Sequence, residues 1–262
     1  MKYNLSTTQR LNHLLTVALS TAALSIVAIA PVLAGYVPPS NGTAPRAGST
    51  APGGVRTGGC SAASTTGLIP IAPQTHIGQT ASTQPTFAWF SLESDSYLTE
   101  FRIAEYRDDG GFNVIYKTEF DSDAQVLPSG ITTVSLSGTD VRLSPGTTYR
   151  WQALLVCDPN RPSESLVAEA DITVVDASTP DVSSATDAAE RSLLYAEAGL
   201  WYDAIGAALT ADSADGRDIQ ITLLEDLAAI EEQANRAEND ENDMVEAVAH
   251  GDRLRQVIAA IR

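Results

Sequence analysis

Between residues 65 and 176 the chain alternates apolar and polar positions in short runs separated by glycine, proline and other polar turn residues. Side chains at period two point to opposite faces of a strand, so each run predicts a half-buried β-strand. Seven runs fit: Gly67–Ile71, Pro85–Ser91, Leu98–Tyr106, Phe112–Phe120, Ile131–Ser137, Thr147–Cys157 and Ser165–Val175. Pro70 has no amide hydrogen to give a ladder, which assigns the first run to a sheet edge. Phe87 and Trp89 are expected on one face. So are Phe101 and Ile103, and so are Val114, Tyr116 and Phe120. Asp108-Asp-Gly-Gly111 predicts the hairpin turn between the third and fourth strands. The sixth run is the most informative. Tyr149, Trp151, Ala153, Leu155 and Cys157 line one face, and Arg150 and Gln152 the other. Leu154 and Val156 make its second half apolar on both faces, as in a strand near the middle of a sheet.

Seven strands at this spacing predict an immunoglobulin- or fibronectin III-like β-sandwich over residues 65–176, a mainly β fold with an α-helical domain to follow. The turn ahead of the sixth strand, Leu143-x-Pro145-x-Thr147-x-Tyr149, resembles the tyrosine corner of fibronectin III domains. There the tyrosine hydroxyl bonds back to nearby backbone. Trp89 and Trp151 are expected to fill the sandwich core. After a polar hinge at 176–184 the apolar period becomes helical. Asp187–Ala198 starts behind Thr186, a candidate cap. Tyr195, Gly199, Ala204, Ala208 and Ala211 match part of a tetratricopeptide repeat, whose small residues let two helices approach closely. One such hairpin within 185–262 is no array. Its large apolar residues are too few to close a core alone, so Leu200-Trp201-Tyr202 is expected to pack on the sandwich. Ile219, Leu223, Leu227, Ile230 and Ala234 predict a third helix. Met244, Val248, Leu254, Ile258 and Ile261 predict a fourth.

The first 34 residues read differently. Lys2 and Arg10 precede an apolar run, Leu14–Ala34, that ends in small residues. This is the form of an export signal cleaved between Ala34 and Gly35. Left uncleaved, its 21 residues would be long enough to span a bilayer. Residues 35–64, rich in glycine, proline, serine and threonine, read as a flexible spacer. The chain has 262 residues, and its 33 acids outweigh 16 lysines and arginines, for a net charge of −17. Such a surface argues against nucleic acid, which needs basic groups to neutralise phosphates, and against anionic lipid once the signal is removed. From Asp176 onward there are 19 acids and 6 bases, so the helical part carries most of the excess. Cys60 and Cys157 are the two cysteines. In an exported chain they are expected to form a disulfide at one pole of the sandwich, the alternative being two free thiols.

Motifs for chemistry are few. His13, His76 and His250 fall in no metal-ligand or nucleophile pattern, and no cofactor motif is present. Asp121-Ser-Asp123 and Asp212-x-x-Asp215-Gly216 lack the full spacing of a calcium loop. Trp89, Trp151 and Trp201 could stack on sugars, although core positions suit the first two better. Trp201 is placed where helices and sandwich meet.

Several stretches together resemble an uncharacterised family of exported cyanobacterial proteins, the domain of unknown function numbered nine hundred and twenty-eight. They are Arg56-Thr-Gly-Gly-Cys60, Pro85-Thr-Phe-Ala-Trp89, Gly146-Thr-Thr-Tyr-Arg-Trp151 through Cys157-Asp-Pro159, and Leu194-Tyr-Ala-Glu-Ala-Gly-Leu-Trp-Tyr-Asp-Ala204. The resemblance spans about Gly53 to Leu209. It implies a compartment and an architecture but no activity. The expected function is therefore an exported, non-catalytic envelope protein that binds or scaffolds a partner protein. The alternatives are a wall- or sheath-polysaccharide binding module and a hydrolase with an unrecognised site.

Overall fold

The computed structural model describes residues 35–40, 42–45, 68–91, 98–107, 109–120, 130–156, 160, 165–176, 180–211, 214–238 and 241–262. The export signal up to Ala34, Cys60 and Cys157 lie outside them, and so does the expected disulfide.

Among the described residues, eight strands form two sheets. They are β1 (Leu68–Pro70), β2 (Gly78–Thr80), β3 (Thr86–Ser91), β4 (Leu98–Tyr106), β5 (Phe112–Phe120), β6 (Gly130–Ser135), β7 (Thr148–Val156) and β8 (Leu166–Val174). One sheet has the order β1-β3-β6 and the other β2-β8-β7-β4-β5. β7 is thus the middle strand of the larger sheet, and β1, with its proline, lies at an edge of the smaller.

The expected count of seven falls one short. After Ile71 the chain leaves the small sheet and returns as Gly78-Gln79-Thr80, which pairs parallel to β8. Three residues without alternation carry no periodic signal, which is why β2 is silent in the sequence.

The two sheets meet through aromatic rings. Phe87 and Trp89 of β3 touch Phe101 of β4, at centroid separations of 5.2 and 5.9 Å, and Phe87 lies 5.8 Å from Trp151 of β7. Offset and tilted pairs at these distances add to the burial energy of the rings. Gly146, at φ 76°, turns the chain into β7, a conformation that costs glycine little. The backbone N–H of Ser144 then donates to the Tyr149 hydroxyl at 2.9 Å.

One register departs from the expected pattern. Ile103 pairs with Tyr116, but Ala104 pairs with Val114, so Ile115 is a bulge on β5. The shift moves Val114 and Phe112 off the face of Tyr116 and Phe120 and onto the outer face of the sheet. Val114 is therefore not a core partner of Tyr116. It is 50 % exposed, and Phe112 is 47 % exposed.

Among the described residues, four helices follow a short 3-10 turn at Val182–Ser184. They are α1 (Ala188–Glu197), α2 (Trp201–Thr210), α3 (Ala214–Glu238) and α4 (Glu241–Ile261). α1 is capped by Asp187, whose carboxylate accepts from Glu190 N–H at 2.8 Å. Thr186, the expected cap, instead donates its N–H and hydroxyl to the Glu190 carboxylate. This is a capping box displaced by one residue. Ser192 Oγ donates to the Ala204 carbonyl, and Ala196, Ala204 and Ala208 are buried in the hairpin. Gly199 lies in the turn between the two helices, at φ 76°. A Cβ there would meet the Val37 carbonyl at 3.1 Å. This glycine thus makes room for residues 37–39 rather than for a helix crossing.

Helices and sheets share one hydrophobic cluster, which runs from Trp89 and Trp151 through Trp201 and Tyr202 to Leu223, Leu227 and Leu254. From Gly35 on, the described residues form one compact unit. β3 is buried on both faces, with Ala88 and Phe90 opposite Phe87 and Trp89. Leu200, Trp201 and Tyr202 are all buried. Trp201 Nε1 donates to the Ile71 carbonyl at 3.0 Å. Tyr202 accepts from Trp151 Nε1 at 2.8 Å and donates to the Asp171 carbonyl at 3.1 Å.

The stretch read as a spacer begins packed. Tyr36 is buried and meets Trp201 edge-on at 4.9 Å, Val37 N–H donates to the Ala196 carbonyl, and Ile77 N–H donates to the Thr43 carbonyl. One large aromatic ring and a few backbone hydrogen bonds hold it there.

Candidate functional site

The outer face of the five-stranded sheet carries a hollow that combines charge, amide and aromatic groups. Its volume is about 330 Å³. Its floor is Ala104, a small residue between Val114 and Arg150 in the cross-strand row. Phe112 and Val114, turned outward by the bulge, form one wall. Arg102, Arg150, Gln152 and Glu169 complete the lining. Bulges commonly re-aim side chains beside binding sites.

The polar groups hold one another in place. Arg102 Nε donates to Gln152 Oε1 at 2.6 Å, and Gln152 Nε2 donates to Glu169. Arg150 is bidentate on Asp171, with Nε–Oδ1 at 2.7 Å and Nη2–Oδ2 at 3.1 Å, and its Nη1 lies 3.8 Å from Glu169. Tyr106 donates its hydroxyl to the same Asp171. Paired, bidentate geometry of this kind makes a buried charge tolerable. Burial works against the Arg150 charge, but hydrogen bonding and attraction from Asp171, with Tyr106 and Glu169, outweigh it and hold the guanidinium more firmly protonated. The Tyr106 and Phe112 rings flank that guanidinium at 5.4 and 5.8 Å, within cation–π range. Arg102 is about one-third exposed and presents its guanidinium at the rim. The two arginines are balanced by Glu169 and Asp171. The site therefore offers fixed planar donors and acceptors, an apolar wall and little net charge.

A second polar array lies inside, where residues 36–76 meet α3. Thr75 Oγ1 donates to Glu231 Oε1 at 3.1 Å, so it accepts from His76 Nδ1–H at 3.2 Å. That leaves His76 Nε2 as the acceptor for the Tyr36 hydroxyl at 2.8 Å. Glu231 Oε1 also accepts the N–H groups of Gln74 and Thr75. Burial raises the Glu231 carboxyl to about 7, the three hydrogen bonds offsetting only part of that. Burial alone lowers His76 to about 4. His250 Nε2–H donates to the Ala72 carbonyl at 3.1 Å, and burial, helped by Arg253, lowers it to about 3. These hydrogen bonds tie residues 36–76 to α3 as a clasp.

The residues singled out from the sequence fall mainly in the core. Trp89 and Trp151 lie between the sheets and Trp201 between helices and sheets, each fully buried, so none of the three indoles is available to stack on a ligand. Tyr149 forms the corner, and Gly199 the α1–α2 turn. The groups of the outer hollow were not singled out. Arg150 and Gln152 were read as the polar face of the sixth strand, and the bulge that brings Phe112 and Val114 to them has no signature in β5. The Asp108–Gly111 turn gave the one available hint, since it fixes which strand follows β4. No cluster of residues able to hold a metal ion occurs among the described residues.

Residues 51–229 match the family model described as Domain of Unknown Function (DUF928). The chain belongs to this family. A comparison with curated proteins finds no match. The family match covers both sheets, the helical hairpin and the first part of α3, and so includes every lining residue of the hollow. The rest of α3, beyond Ala229, and all of α4 lie outside it.

Proposed function

We propose that this DUF928 protein is an exported, non-catalytic binding module of the cell envelope, and that the outer hollow of its larger sheet takes a neutral saccharide unit. The observation that carries the reading is the pairing of a pre-set planar polar network with an exposed aromatic wall at Ala104. A sugar ring offers hydroxyls in a fixed plane and an apolar C–H face, which match those two features. A hollow of about 330 Å³ is within the usual range for small-molecule sites. Charge balance between the arginines and the acids disfavours a strongly anionic ligand. The finer fold reading, an immunoglobulin- or fibronectin III-like sandwich with one tetratricopeptide-like hairpin, belongs to the same proposal. It is supported by the corner at Tyr149 and by the three-and-five strand order. Export rests on Lys2, Arg10 and the apolar run to Ala34.

The test is calorimetric titration of the chain from Gly35 onward with a panel of neutral oligosaccharides and with isolated envelope polysaccharide. Binding is expected, weakened about tenfold or more in Phe112→Ala. Absence of binding across the panel at millimolar sugar would sink the saccharide reading. A protein partner is the second reading, supported by the adjacency of exposed Phe112 and Val114 on the outermost strand. Under it, polysaccharide would not bind, and Phe112→Ala would abolish a defined complex with an envelope protein.

A further inference from the structure

The geometry at Gly35 points to a use for the expected processing site. Tyr36 N–H donates to Asp226 Oδ2 at 3.0 Å, and a Cβ on Gly35 would come within 2.4 Å of the same oxygen. No side chain fits there without displacing Asp226. The α-carbon of Gly35 therefore lies against the carboxylate, and its nitrogen is about 1.5 Å further along the chain. Asp226 is half-buried, and burial raises its carboxyl, with Tyr36 N–H the hydrogen bond that opposes this. Repulsion from another acid, Glu225, adds to that rise, and Glu225 is itself held by Arg262. Asp226 has no lysine or arginine partner among the described residues.

We infer that the amino group freed at Gly35 is the counter-charge of Asp226, and that hydrolysis between Ala34 and Gly35 locks residues 35–45 onto the helices. In that step water adds across the peptide bond, leaving a carboxylate on Ala34 and an ammonium on Gly35. A neutral amide nitrogen thereby becomes a cation within reach of Asp226. Glycine is the residue that permits the approach, because any Cβ would occupy the space of the ion pair. The locked segment then delivers Tyr36 to His76 and Trp201, and Val37 to the Ala196 carbonyl. The precursor, without the ammonium, is the less stable fold. The inference rests on the export reading for its cleavage step and on this geometry for its pairing step.

Two measurements separate those steps. The first compares three chains ending at Arg262: one with a free amine on Gly35, the same chain Nα-acetylated, and one that retains Ala34. The free-amine chain is expected to melt about 2–4 °C or more above the other two. The gap is expected to close in Asp226→Asn. A Gly35 α-ammonium that titrates above the ordinary α-amino range of about 7.7–8.0 supports the pair independently, should that variant fold poorly. Equal melting of the three chains, or a gap that persists in Asp226→Asn, overturns the pairing. The second is amino-terminal sequencing of the native chain from the envelope fraction. A start at Gly35 supports the processing step, and any other start overturns it whatever the melts show.

Discussion

The Tyr149 hydroxyl accepts the Ser144 N–H at the turn into the central strand. Tyr149→Phe removes that acceptor and keeps the ring. The variant is expected to lose about 0.5–1.5 kcal/mol in urea unfolding, the net worth of a part-buried hydrogen bond. An unchanged midpoint and slope would show that the corner contributes nothing. This residue was legible because its partners are local: Pro145 and Gly146 announce the turn, and five residues separate donor from acceptor. Tyr36, His76, Thr75 and Glu231 were not. Apart from the Thr75–His76 bond, their hydrogen bonds join residues 40 to 157 positions apart, and Tyr36, Thr75 and His76 lie in no periodic stretch that would mark them as buried. Single polar residues that meet only in the folded chain leave no trace in local pattern.

At the scale of elements, long periodic segments were read well and short ones were missed. β4, β5, β7 and α4 lie close to where alternation or helical spacing puts them. β2, at three residues, and the one-residue bulge of β5 are below what a pattern can register. The attachment of α2 was legible for another reason: a weakly apolar hairpin must find apolar surface elsewhere. Trp201 supplies it, fully buried and bonded to the Ile71 carbonyl. Trp201→Ala should destabilise the chain by about 3–5 kcal/mol, as aromatic truncations in cores do. The loss should be seen equally by a probe in the sheets and one in the helices, because both share the cluster. Separate transitions for sheets and helices, with the sheets unaffected, would contradict that sharing.

For the molecule as a whole, pH acts through two opposed sets of groups. Burial raises Glu231 to about 7, so its contribution to stability is full below the ordinary carboxylate value of about 4.3 and is lost as pH climbs through 7. His76 and His250 run the other way. Lowered to about 4 and 3, they contribute fully above about 6.5 and lose that contribution as pH falls. Glu231→Gln isolates the first set. Relative to the parent, the variant is expected to gain on the order of 2–3 kcal/mol between pH 5 and pH 8. Urea midpoints of both chains at the two pH values give the answer, and a difference that does not move with pH would mean that the carboxylate is solvated.

The bulge at Ile115 bears on how this protein behaves in a crowd. β5 is nine residues long, outermost in its sheet and apolar at Phe112, Val114, Ile115, Tyr116 and Phe120. A flat edge of that length and composition is a template on which another chain's strand can add, the first step to aggregation. The extra residue bends the edge out of register for any straight partner, and Lys117 sets a charge on the far side of it. Deletion of Ile115 would keep Val114 opposite Ala104 on the outer face, and with it the wall of the hollow. It would also straighten the strand and leave the protein able to polymerise through the edge it now keeps closed.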